Sequence, residues 1–131
     1  MARARWVRDG LGRLYGVQVV CPGCTAHVQA QAAGHTRYHT LPVSNLPTGE
    51  TESRAAANAP HWGFNGDMER PTLSPSIRAT HPLYDDNEHN IGTYTCHSFV
   101  TDGRIQFLGD CTHAMAGQTV DLPECPPETH A

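Results

Sequence analysis

The chain has 131 residues, which fits one domain, and 38% of them are apolar, enough for a modest core. Thirteen acids face nine bases, every base is an arginine, and the formal charge is -4; a net acidic chain without a basic run argues against general nucleic-acid binding. No apolar run approaches the roughly 18 residues of a membrane span, and no apolar stretch of the signal-peptide kind follows the Arg-rich start.

In chain order, residues 1–13 read as an N-terminal arm. Leu14 to Val20 is rich in β-branched residues and reads as a strand running into Cys21-Pro22-Gly23-Cys24. Two thiols spaced C-x2-C around Pro-Gly make the tight knuckle that grips a tetrahedral metal, usually zinc. From Thr25 to Ala30 small apolar and polar residues alternate, so an antiparallel return strand is expected there. Residues 31–60 hold three prolines and many small polar residues. They read as a long excursion with one short helix near Glu52 to Asn58.

Order returns at His61-Trp62-Gly63-Phe64, and Asn65-Gly66 signals a hairpin. Arg70 to Arg78 can form a strand, which Pro71 and Pro75 confine to an edge or an irregular path. Thr80 to Gly92 reads as an acid-rich loop. Asp102-Gly103 then joins Tyr94–Thr101 to Arg104–Cys111 in the cleanest hairpin of the chain. A short strand, Gln118 to Leu122, follows, and residues 124–131 read as a Pro-rich tail with Cys125 as a bystander. The fold class is therefore mainly β: a small, hairpin-built antiparallel domain over residues 14–123 with a zinc knuckle and little helix.

The turn at Asp102-Gly103 fixes the register, so that Thr101 faces Arg104, Val100 faces Ile105 and Ser98 faces Phe107. One face then collects Cys96 and Cys111 as diagonal neighbours, about 7–8 Å apart along the backbone. Two thiolates so placed can share one zinc ion, since each Zn–S bond spans about 2.3 Å. The expected ligands are Cys21, Cys24 and Cys96, with Cys111 or His113 as the fourth and His27 as the outsider. A closed four-ligand shell makes the Zn2+ structural rather than catalytic. The opposite face brings His97 beside Asp110, where a carboxylate can fix the imidazole tautomer and assist general-base chemistry. Asp67, Glu69, Ser74 and Ser76 could line a pocket with His97, although spacing alone assigns no Ser–His–acid triad.

Phe64-Asn65-Gly66-Asp67, the run from Pro71 to Ser76, Cys96-His97-Ser98-Phe99-Val100, Ile105-Gln106-Phe107-Leu108, Thr112-His113 and Ala116-Gly117-Gln118-Thr119-Val120 form a combined motif set. With the knuckle, it resembles a family of small proteins encoded in tailed-phage and prophage genomes, over about residues 17–30 and 61–123. The resemblance implies Ser at the position of Cys111, which favours His113 as a ligand. It also implies a phage-encoded, zinc-binding interaction protein: a virion or assembly component docked to larger phage proteins, in the virion or the host cytoplasm. The alternatives are a zinc-dependent hydrolase or host-modulating enzyme using His97 and Asp110, and an intracellular inhibitor of a host protein.

Overall fold

The computed structural model describes residues 2–27 and 36–126. Two antiparallel sheets pack face to face. The first, in the order β1-β2-β3, is built from β1 (Ala4–Arg8), β2 (Leu14–Val20) and β3 (Tyr38–Leu41). The second runs β4-β5-β6-β7-β8, with β4 (Gly63–Phe64), β5 (Leu73–Tyr84), β6 (Asn90–Thr101), β7 (Arg104–Phe107) and β8 (Thr119–Asp121). Helix is confined to two short pieces among the described residues, α1 (Pro22–Ala26) and α2 (Arg54–Ala57). Ser53 caps α2 by accepting from the Ala56 amide at 3.1 Å. No helix of the described residues is long and apolar enough to cross a membrane.

The core is the seam between the sheets. Val17, Val19 and Leu41 from the first meet Ile77, Cys96, Val100, Ile105 and Phe107 from the second, all buried. The period-2 alternation of β6 puts Tyr94, Cys96, Ser98 and Val100 inward, while Thr95, His97 and Phe99 face outward. Ser98 Oγ is buried there without a hydrogen-bond partner among the described residues.

Several expected boundaries move. The N-terminal arm is not an appendage, because β1 pairs with β2 from Ala4↔Val19 to Arg8↔Leu14. Trp6 and Val7 are as strand-prone as β2 itself, and the two strands need only a short connection. The described part of the tail, residues 124–126, is anchored too: the Cys125 amide donates to Ala2 O at 2.9 Å, and the Cys125 side chain is buried. The return strand expected at Thr25–Ala30 is absent over its described part, since Pro at the first helical position turns the knuckle into α1; residues 28–30 lie outside the described residues. The excursion supplies β3 as well as α2.

The expected edge strand Arg70–Arg78 and the start of the expected loop Thr80–Gly92 form one long strand, β5, which β6 pairs along from Arg78↔His97 to Tyr84↔Asn90, so that only residues 85–89 remain a turn. The turn itself behaves as read. Asp102 and Gly103 both have positive φ, 53° and 78°, and Thr101↔Arg104, Val100↔Ile105 and Ser98↔Phe107 are opposite pairs.

Candidate functional site: a triad backed by a thiol cluster

Two constellations lie back to back on β6, because consecutive residues point to opposite faces. Cys96 points inward and His97 outward.

On the inner side, Cys21, Cys24, His39 and Cys96 bring their donor atoms within 4.8 Å of one another. The knuckle is shaped by the Cys24 amide, which donates to Cys21 Sγ at 3.4 Å. The carbonyl of Arg37 accepts from the Cys21 amide at 2.9 Å, which brings the start of β3, and hence His39, alongside. Cys21 Sγ lies 3.7 Å from Cys96 Sγ, and Cys96 Sγ lies 3.5 Å from His39 Nε2. A tetrahedral ion with Zn–S of about 2.3 Å and Zn–N of about 2.0 Å has S–S and S–N edges of about 3.8 and 3.5 Å. The donor set therefore fits a closed tetrahedral shell. Tyr94 OH donates to Cys24 Sγ at 2.9 Å and holds that sulfur from outside.

The electrostatics fit the same description. Hydrogen bonds from Cys21 and Cys96 hold the Cys24 thiol far below its ordinary value, while the same crowding, first from Cys21, pushes Cys96 far above. Burial works to lower His39, but the Cys21 and Cys24 sulfurs outweigh it and raise the imidazole to about 9. A cation binding here would displace the protons that Cys96 and His39 hold, so its affinity would rise with pH.

The fourth donor in this group is His39. Cys111 and His113 instead form a second group with Cys96, in which His113 Nε2 stands 3.4 Å from Cys96 Sγ. His113 is buried against Phe107, ring centroids 4.5 Å apart, and its ring covers Gly23 so closely that a Cβ there would overlap it. That contact is why the knuckle carries glycine. His27 packs edge-on against Tyr94 and joins neither group.

On the outer side, His97 stands between two partners. Its Nδ1 lies 3.1 Å from Asp110 Oδ2, and its Nε2 lies 3.1 Å from Ser76 Oγ. An ionised carboxylate only accepts, so Nδ1 carries the ring proton and Nε2 is left to accept from the serine hydroxyl. Ser76 owes its place to a bulge in β5. The ladder jumps from Leu73↔Val100 to Ile77↔Ser98, so three residues stand opposite Phe99 and Ser76 swings diagonal to His97. Trp62 Nε1 donates to Ser76 O at 3.2 Å and steadies that turn of chain. The side chain of His97 is 23% exposed and that of Asp110 52%, which leaves the site open to a large substrate.

The other polar candidates fall elsewhere. Asp67 accepts from the amides of Glu69 and Arg70 and so closes a surface turn, and Ser74 lies against Gly63 on β4. Two functional candidates escaped a firm reading. His39 sat in the tract read as excursion, although Tyr38-His39-Thr40-Leu41 alternates as a half-buried strand does. Ser76 was one of several hydroxyls in its segment, and the bulge that selects it has no sequence signature beyond Pro75.

The family model of the bacterial ubiquitination-like system serine protease (BubE) matches residues 4–108. The chain belongs to the BubE family. Ser76, His97 and the knuckle lie inside the matched residues, and Asp110 lies just beyond them. This membership overturns the expectation of a phage virion or assembly component, because the family is described as the protease of a bacterial system. Short motifs around the hairpin carried that expectation, and such motifs report a shared fold and site rather than a shared role. Neither a curated protein nor a solved structure matches the chain significantly.

Proposed function

We propose that this BubE-family chain is a serine peptidase whose nucleophile, general base and orienting acid are Ser76, His97 and Asp110. The single observation that carries the proposal is the position of His97, 3.1 Å from both Ser76 Oγ and Asp110 Oδ2. The family's description as a serine protease supports it independently.

In the mechanism, His97 Nε2 takes the hydroxyl proton as Ser76 Oγ attacks the scissile carbonyl. Asp110 holds Nδ1–H and stabilises the imidazolium that forms. As the tetrahedral intermediate collapses, the C–N bond breaks, His97 returns the proton to the leaving amine, and an acyl-enzyme on Ser76 remains. Water activated by His97 then attacks the ester and frees Ser76. The substrates would be polypeptides of a ubiquitination-like system, engaged on the exposed face of β5 and β6.

The metal of the inner cluster is proposed to be zinc, held by Cys21, Cys24, His39 and Cys96. Three sulfurs and one imidazole are the donor chemistry zinc favours. Its contribution is a structural cross-link of β2, β3 and β6. All proton transfers stay on the outer face, so the expected zinc-dependent hydrolase is replaced by a metal-stapled serine enzyme. The test is digestion of casein, an unstructured substrate, by the wild-type chain and by Ser76→Ala. Cleavage only by the wild type is expected; equal cleavage by Ser76→Ala would remove the nucleophile and the proposal with it.

A further inference from the structure

Cys111 stands next to Asp110 in sequence and touches His97 only through the backbone. Its Sγ accepts from the His97 amide at 3.2 Å and donates to the His97 carbonyl at 3.2 Å. Those two groups belong to the strand ladder, and the ladder fails at this point. β7 ends at Phe107, the Leu108 amide makes the last backbone bond to His97 O at 2.9 Å, and the chain then turns, with the Cys111 amide donating to Leu108 O at 3.2 Å. The thiol stands in for the missing backbone acceptor. One residue on, Thr112 continues the pattern. Its amide donates to Thr95 O at 2.8 Å, and its hydroxyl accepts from the Thr95 amide at 2.9 Å. The turn closed in this way is the one that presents Asp110 to His97 Nδ1.

We propose that Cys111 is a positioning residue for the Ser76–His97–Asp110 site: its thiol clamps the backbone of His97 to the turn that carries Asp110. The inference rests on the peptidase reading above. Cys111 does not touch substrate, and it acts by fixing the distance and angle between imidazole and carboxylate. A displacement of about 1 Å between such groups can cost on the order of 100-fold in rate. Serine at this position keeps one donor and two acceptor lone pairs on a shorter arm, whereas alanine keeps neither.

The experiment follows phosphonylation of the metal-loaded full chain by a fluorophosphonate. Ser76 Oγ bonds to phosphorus, fluoride leaves, and the hydroxyl proton passes to His97. Wild type, Ser76→Ala, Cys111→Ala and Cys111→Ser are compared, together with metal stoichiometry and the low-field proton resonance of the His97–Asp110 hydrogen bond. The expected result is a rate constant lower by about 10- to 100-fold in Cys111→Ala, with the low-field resonance lost or shifted and the metal retained. Cys111→Ser is expected within about threefold of wild type, because its hydroxyl restores both hydrogen bonds. A Cys111→Ala rate equal to wild type overturns the inference and leaves the peptidase reading standing. Metal loss in Cys111→Ala also overturns it, since the thiol would then be a ligand rather than a clamp. Equal labelling of wild type and Ser76→Ala overturns both.

Discussion

The two faces of β6 are built from opposite kinds of contact. Outward, His97 meets Ser76 and Asp110, and all three come from the local run of β5, β6 and the turn that follows β7. Inward, Cys96 meets His39 from β3 and Cys21 and Cys24 from the knuckle that follows β2. The outer face is open and hydrogen-bonded; the inner face is buried and suited to a cation. A site that does chemistry has to be reachable, and a site that holds sheets together has to be dry. Because Cys96 and His97 are consecutive, damage to the inner face should reach the outer one, whereas damage to the outer face should stop there.

Removal of the proposed metal is the largest test of that asymmetry. Structural zinc contributes about 10–16 kcal/mol of apparent binding free energy in small domains, and most of that acts as folding energy. Chelation, or Cys21→Ser, is expected to abolish the cooperative thermal transition and the activity together. A chelated chain that keeps its melting temperature would show the cluster to be incidental. Asp110→Asn comes next and should reach only the outer face. The amide leaves the wrong tautomer facing Ser76, so kcat should fall by up to roughly 10^4-fold. Metal content and melting temperature should stay put, and a matching drop in stability would contradict the separation of the two faces.

Smaller effects sharpen the inner face. His39→Ala should lose bound metal while His113→Ala keeps it, read by metal stoichiometry on the purified chains. The reverse result would assign the fourth ligand to His113. Gly23→Ala should be milder, because its methyl must displace the His113 ring from its packing on Phe107. Overpacking of that kind costs about 1–3 kcal/mol, measurable by denaturant titration.

These differences also explain what the sequence could reveal. The pairs Thr101↔Arg104 to Ser98↔Phe107 follow from Asp102-Gly103, because a two-residue turn leaves no freedom of register. That register put His97 and Asp110 on one face and Cys96 on the other. What stayed hidden depends on contacts distant in sequence or on irregularity. His39 joins Cys21 and Cys24 only because β3 pairs with β2. Ser76 reaches His97 only because β5 bulges. Cys111 lies on the predicted side of the hairpin, but the ladder ends before it, so its thiol turns to the His97 backbone instead of closing the first metal group. The phage assignment failed for a different reason, since shared motifs carry site geometry and no information about role.

The most direct measurement of the central claim is peptide mapping by mass spectrometry after reaction of the metal-loaded chain with a serine-directed phosphonate. The account predicts one adduct, on Ser76, that disappears when His97 is replaced by alanine. An adduct on any other serine, or one on Ser76 that persists without His97, would contradict it.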